Sequence, residues 1–439
     1  MARLRPPSRS GHGTPPITDM IRVFGRIGLL SFGGPAAQIA LMHKELVESR
    51  DWLTEQQFLR ALSFCMLLPG PEAMQLATYA GWKRHGVVGG LIGGLLFVIP
   101  GAIVIAILAL LYGQYGNLPV AQAMFLGIKA TVVVIVINAL VKISGRALVQ
   151  TWHWLVALAG FVALFLFAIP FPIVIAFAAM IGASVSTTVP QETDIKGHPD
   201  LSQSGRVIAI GATIWAAPLV AAYLLDAPFM VDLGLFFSKL AVVTFGGAYA
   251  VLAYMTQEVV GSYGWLTTPQ MMDALGLAET TPGPLILVTQ FVGMLAGMAE
   301  GGIATALLAG AITLWVTFVP CFIWIFAGAP LIDWLEGRPR LQGALHGVTA
   351  AVVGVIANLS LWFSLHVFFR MLHPVQSGPL QTLVPELQSI NPVAVGLAAI
   401  AAIAMQRARL SLPIVLAMSA ALGFLVHLAA PSFQIAPSL

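Results

Sequence analysis

Residues 24–71 recur at 237–284 without a gap. A constant offset of 213 aligns the two blocks, and 19 of 48 positions are identical. Phe32-Gly33-Gly34 matches Phe245-Gly246-Gly247, Trp52-Leu53-Thr54 matches Trp265-Leu266-Thr267, and Pro69-Gly70-Pro71 matches Pro282-Gly283-Pro284. A chain made of two copies of one unit folds as two related units. Here the unit is hydrophobic and interrupted by glycine and proline. That is the pattern of a secondary transporter whose site lies near the interruptions.

Composition says where the units sit. Of 439 residues, 58% are hydrophobic and 9% are charged, against about 25% charged in a soluble domain. With a mean hydropathy of +0.90, most of the chain belongs in a bilayer. The net charge of +3 is scattered, which argues against nucleic-acid binding. Cys65 and Cys321 lie far apart in apolar stretches and read as buried free thiols. The nine histidines show no metal spacing, and neither an ATP-binding loop nor a zinc-protease motif occurs. No metal and no cofactor is expected.

Spanning helices need about 20 mainly apolar residues. The candidates in the first half are 22–43, a segment 55–82 broken at Pro69-Gly70-Pro71, 86–112, 119–141, 152–169 and 171–188. In the second half they are 235–257, a broken 268–298, 302–328, 341–366, 391–406 and 411–429. The correspondence continues at an offset of 220, where Pro100 matches Pro320 and Asn138 matches Asn358. The expected organisation is a cytoplasmic disordered tail (1–21), a first repeat (22–188), a cytoplasmic linker (189–205), a connecting transmembrane helix (206–225) and a second repeat (226–439).

One extra helix between two even-numbered units turns the second copy over. The basic residues agree, because cytoplasmic loops collect Lys and Arg. Lys83, Arg84, Lys142, Arg146, Arg338, Arg340, Arg407 and Arg409 fall on one side under this arrangement; Arg370 departs from it, and so do Lys44, Arg50 and Arg60 if the segments 22–43 and 55–82 both cross. The expected fold class is therefore an all-α polytopic membrane protein. It has two inverted repeats of about six helical elements each. The broken segments either cross the bilayer or form re-entrant hairpins, and the C-terminus lies opposite the N-terminus.

Two glycines weaken an apolar helix by about 1 kcal/mol each, and a proline in a helix interior costs about 3 kcal/mol. Gly33, Gly34, Gly246, Gly247, Gly70 and Gly283 therefore mark helix breaks. Where a helix restarts, its free N–H groups and positive dipole end suit an anion. Ser31 and Thr244 place a hydroxyl beside each glycine pair, and Arg26 and Lys239 place a cation five residues earlier. Close packing through small residues is the competing reading of the glycines. Snorkelling to the interface is that of the two cations. Glu45 and Glu258 also match; they are either solvated charges or groups that couple protons. Trp52 and Trp265 read as interface anchors. Lys129 lies inside an apolar helix and has no cationic counterpart, which makes it a functional candidate.

The paired FGG, W-L-T and P-G-P elements resemble those of the chromate ion transporter family of bacterial inner-membrane proteins. The resemblance covers nearly the whole chain and matches the long, two-domain form. It implies a multi-pass inner-membrane protein that exports chromate and confers chromate resistance; the bias of basic residues puts the N-terminus in the cytoplasm and the C-terminus in the periplasm. Sulfate, of the same shape and charge, is the expected competitor. One departure is visible: Leu67-Leu68 precede the first Pro-Gly-Pro and Glu72 follows it, where the second copy has Thr280-Thr281 and Leu285. The two halves should not make identical contacts.

The partners expected are thus a small inorganic oxyanion and the lipid bilayer, and a homo-oligomer is compatible with the sequence. The rival in the same class is a transporter of sulfate or another small anion. From other classes, a membrane-embedded enzyme lacks a nucleophile or redox centre here. A scaffold would leave the paired breaks without a purpose.

Overall fold

The computed structural model describes residues 15–32, 34–185, 201–243, 245, 248–329, 338–378 and 380–429. The expectations placed on Gly33, Thr244, Gly246, Gly247, the tail before residue 15 and the linker up to residue 200 lie outside that set.

In the first repeat, α1 (Ile17–Leu30) stops at Ser31, and α2 (Gly34–His43) runs back beside it through a π-helical turn, Lys44–Glu48. Two contacts show the reversal. The rings of Phe24 and Trp52 lie 6.0 Å apart, and Arg26 reaches Glu45 at 3.6 Å. Thr54 then caps α3 (Glu55–Leu67). Its side chain accepts from the Gln57 N–H at 3.2 Å, while the Gln57 amide oxygen accepts from the Thr54 N–H. The Trp-Leu-Thr motif is therefore a clasp and a helix cap at the base of a hairpin. Trp52 is buried, and it packs on α1 where an interface anchor was expected.

After Pro69-Gly70-Pro71 comes a helical run, α4 (Glu72–Tyr115), that reverses at His85-Gly86. Gly81 meets Gly89 and Ala77 meets Gly93 across that reversal, so residues 72–84 form a short returning leg and 87–115 a long crossing one. The Arg84 guanidinium donates to the Asp51 carbonyl at 3.0 Å, and the His85 ring contacts the Pro15 carbonyl. Residues 15, 51 and 84–85 thus share one face of the molecule. Both broken segments of the first repeat enter from that face and return to it. Of the two alternatives open from sequence, the re-entrant hairpin is the one formed.

The second repeat repeats this plan. It has α9 (Pro228–Val243), α10 (Ala248–Thr256) with its own π-helical turn Gln257–Ser262, and α11 (Thr268–Thr280), capped by the Thr267–Gln270 pair. Trp265 packs on Phe229, Phe236 and Phe237. Beyond Pro282-Gly283-Pro284, α12 (Val288–Gly328) reverses at Gly301-Gly302. The long legs of α4 and α12 are repeat equivalents, and they lie antiparallel: Gly90 faces Phe326 and Gly94 faces Phe322. Gly113, near the far end of the α4 long leg, meets Met298 at the base of the second repeat's hairpin. The two copies are therefore inverted.

Seven further helices complete the molecule: α5 (Pro119–Ala147), α6 (Thr151–Phe165), α7 (Phe171–Val185), α8 (Leu201–Leu224), α13 (Pro339–Phe368), α14 (Pro392–Gln406) and α15 (Leu412–Ala429). Each repeat's last helix packs on the other repeat. Gly127 of α5 sits against Ser419 of α15, and Gly347 of α13 against Ala178 of α7. Lipid supplies no hydrophobic drive between helices, so close backbone approach through small residues takes that role. The interior is one large apolar core drawn from both copies, with a small separate cluster at Ala401, Ala404 and Val415. Outward residues such as Leu155, Phe177 and Ile210 are exposed and apolar, as contact with lipid requires. Among the described residues, six helices are long and apolar enough to cross a bilayer.

A β-hairpin unforeseen from sequence pairs Leu372–Ser377 antiparallel with Leu380–Pro385. It follows Arg370, and its Gln381 N–H donates to the Leu166 carbonyl at 2.7 Å, beside the end of α6. A hairpin pairs its own strand groups, so this stretch need not be helical.

Candidate functional site

The tips of the re-entrant hairpins carry the interruptions that the sequence singled out. At the first tip, α1 ends because Ser31 leaves the helical region and Gly34 takes a φ of +77°, a value that favours glycine. Ser31 is buried, and its hydroxyl donates to the Ile27 carbonyl at 2.5 Å. Its carbonyl accepts from the Gly283 N–H at 3.0 Å. Gln38, one turn into α2, closes the arrangement: its amide donates to the Gly283 carbonyl at 2.7 Å and to the Ser31 carbonyl at 3.3 Å. The first break of one repeat is thereby joined to the Pro-Gly-Pro tip of the other.

Sequence reasoning brought Ser31 and Gly283 into one list but missed Gln38. Its repeat equivalent is Val251, so the duplication carried no signal. A glutamine inside an apolar helix was the only clue.

Both Pro-Gly-Pro tips rest on the long leg of the opposite repeat. The Pro282 carbonyl closes on Gly101 of α4 so tightly that a Cβ there would collide with it. Gly70 lies against Cys321 of α12, whose Sγ would sit 2.8 Å from an added Cβ. Residues 101 and 321 are equivalent at the offset of 220. The positive φ at Gly70 (+109°) and Gly283 (+88°) leaves glycine as the residue both tips need. Gln75 donates to the Pro69 carbonyl at 2.7 Å, and Gln290 to the Ala102 carbonyl at 3.1 Å. Each tip also carries a carboxyl group. Glu72 opens the helix after the first, where the positive helix end favours it. Glu279, before the second, is buried and accepts from the Tyr249 hydroxyl at 3.0 Å.

The paired cations lie down the hairpins from the tips. Arg26 is exposed and bridges to buried Glu45, which Arg50 also contacts. Lys239 is exposed and stands over the Tyr254 ring, 5.6 Å from its centroid. Glu258, one turn after Tyr254, is half-buried. The structure thus brings Ser31 and Gly283 together and pairs Arg26 with Glu45, while Gly34 faces open space.

A family model described as a chromate transporter matches residues 18–183 and 231–431. The chain belongs to the chromate transporter family. The two matched stretches cover nearly all of α1 to α7 and of α9 to α15, and α8 lies between them. Among curated relatives, the chromate transport protein of Pseudomonas aeruginosa is 30% identical over 363 residues, 79% of this chain and 82% of that one. The chromate transport protein of Cupriavidus metallidurans is 29% identical over 366 residues, 80% of this chain and 83% of that one. A probable chromate transport protein of Synechococcus elongatus is 27% identical over 360 residues, 78% and 83% of the two chains. No solved structure matches the chain. Membership places the protein among multi-pass membrane transporters and not among enzymes.

Proposed function

We propose that the protein is a secondary transporter that exports chromate, a tetrahedral dianion, from the cytoplasm across a bacterial inner membrane. The observation that carries this reading is the meeting of inverted hairpin tips through Ser31, Gln38 and Gly283. Helices that end inside a membrane protein leave polar backbone groups which only protein, water or a ligand can satisfy. In the present state the Gly283 N–H and the Gln38 amide satisfy one another's neighbours. When the tips part, both become donors, beside the N-terminus of α2 at Gly34. A dianion accepts from such donors with charge-assisted strength. Gly33, Gly70, Thr244, Gly246 and Gly247 extend this seat, and Arg26 and Lys239 raise the local concentration of anions along the two hairpins. Glu45 holds Arg26, and the Tyr254 ring lies under Lys239.

Rocking of one repeat against the other exposes the seat to each face in turn. The face that carries Arg84, Arg146, Arg338 and Arg409 is the cytoplasmic one, by the bias of basic residues. The N-terminus lies there and the C-terminus in the periplasm. Moving one charge through 100 mV is worth about 2.3 kcal/mol, so a dianion that leaves a negative interior gains about 4.6 kcal/mol. At 1.4 kcal/mol per factor of ten, that sustains roughly a thousandfold gradient without ATP.

The test is uptake of labelled chromate into everted vesicles. A lumen-positive potential is expected to raise uptake, and excess sulfate to compete. Uptake that is the same with and without an imposed potential or pH gradient overturns the proposal.

A further inference from the structure

A second polar cluster lies away from the hairpin tips. Asp273, about a turn and a half into α11, is fully buried. Its Oδ1 lies 3.0 Å from the Nζ of Lys129 on α5, whose side chain is 12% exposed. Its Oδ2 accepts from the Tyr112 hydroxyl of α4 at 2.7 Å. Asp273 belongs to the second repeat, and its two partners belong to the first. The cluster has no copy: the repeat equivalents of Asp273 and Lys129 are Arg60 and Thr349.

A buried ion pair is a poor source of stability, because the desolvation of both ions offsets their attraction. Ionisable groups in a membrane interior mark ion and proton paths. Other charges near Asp273 are few. The elements packed most closely on α11 are α5, α12, the turn 285–287 and α15, and α10 reaches its far end through Tyr249 on Glu279. α5 supplies Lys129, and α4 adds Tyr112. The first leg of α12 has no charged residue before Glu300, the turn has none, and α15 carries only His427 near its end. On α11 itself the other ionisable group is Glu279.

We infer that Asp273 is the proton-carrying carboxylate of the transport cycle, with Lys129 as its displaceable counter-ion and Tyr112 as the donor that orients it. The inference rests on the transport reading above and adds its coupling ion. Rocking the repeats draws α11 away from α5. A buried carboxylate without its cation is too costly to stay charged, so it takes a proton from water at the open face. When the repeats close again, Lys129 returns, the carboxylate ionises, and the proton leaves to water at the other face. Each turn then moves one proton inward for each chromate outward. Glu45 keeps Arg26 and Arg50 within its own hairpin and needs no proton.

The experiment uses the purified full chain in liposomes, with labelled chromate and the potential clamped at zero. The wild type is expected to speed chromate movement when a pH gradient is imposed. Asp273→Asn is expected to lose that acceleration entirely while keeping potential-driven flux and chromate–chromate exchange. Glu300→Gln, at an exposed turn away from the cluster, is expected to keep the acceleration. Should Asp273→Asn fail to fold, the double variant Lys129→Met with Asp273→Leu removes both charges and leaves none unpaired; it is expected to show the same loss. A pH response that survives in the neutral variants, or is absent in the wild type, overturns the inference. Potential-driven chromate flux in those same samples leaves the proposed function standing, and its absence under every gradient overturns both.

Discussion

The two Pro-Gly-Pro tips have the same sequence, the same left-handed glycine and equivalent seats on the opposite long leg, yet they are held differently. The second tip is bound across the repeat boundary by Ser31 and Gln38 and pressed on bare backbone at Gly101. The first is braced within its own repeat by Gln75 and rests on the thiol of Cys321. Duplication preserved the scaffold, and substitution at single positions divided the tips into a joined one and a self-supported one. A rocking mechanism has to break the first kind of contact and can leave the second intact.

The strongest way to break this comparison is to fill the seat of the joined tip. Gly101→Leu puts a side chain where the Pro282 carbonyl lies, and overpacking of this kind costs about 1–3 kcal/mol. Chromate flux is expected to fall at least about tenfold, the factor that corresponds to 1.4 kcal/mol. Cys321→Ala only removes an Sγ from the other seat and should leave flux within about twofold, under 0.5 kcal/mol on the same scale. Equal losses in the two variants, measured at matched membrane expression, would mean that the seats are not different.

A smaller effect is expected from the two glutamines. Gln38→Ala leaves the buried Gly283 carbonyl without its donor, a penalty of about 1–3 kcal/mol, and that penalty falls on one state of the cycle only. It should change the flux more than the melting temperature. Gln75→Ala leaves the Pro69 carbonyl unpaired in every state, so it should lower the melting temperature and spare the flux. Thermal melts in detergent beside flux assays would show whether that division holds.

The smallest effect concerns the hairpin bases. His43 bonds to Glu55 at 2.7 Å and to Glu48 at 3.2 Å. The bond to Glu55, above all, raises its pKa beyond the ordinary 6.5. A raised folded value means that this contribution is complete below the ordinary pKa and is lost as the pH climbs through the raised one. The equivalent residue in the second repeat is Thr256, which does not titrate. His43→Gln should therefore flatten a slight fall in melting temperature between mildly acidic and mildly alkaline buffer, and Thr256→Ser should not.

Much of the fold could be read from residues alone. An unbroken offset exposed the duplication. The parity of helices and the side on which Lys83, Arg146, Arg340 and Arg407 fall showed the inversion. Glycine and proline marked the breaks to within a residue. Legibility ended where partners are chosen. Whether the broken segments cross or return depended on contacts such as Phe24 with Trp52 and Arg84 with Asp51. Repeat logic also drew attention to matched residues, Arg26 with Lys239 and Glu45 with Glu258. The residues that join the repeats, Gln38 and Asp273, are unmatched and were passed over.

The amino-acid sequence by itself determined that this protein lies in a membrane, that it is two copies of one unit in opposite senses, and where each copy is broken. These are properties of hydrophobicity, charge bias and backbone freedom, which act within a few neighbouring residues. Only the tertiary structure decided that the breaks turn back, that Gly283 meets Ser31, and that Lys129 finds Asp273. Such pairings depend on which helices come within a few ångströms of one another, and packing across two interlocked repeats settles that, not local sequence.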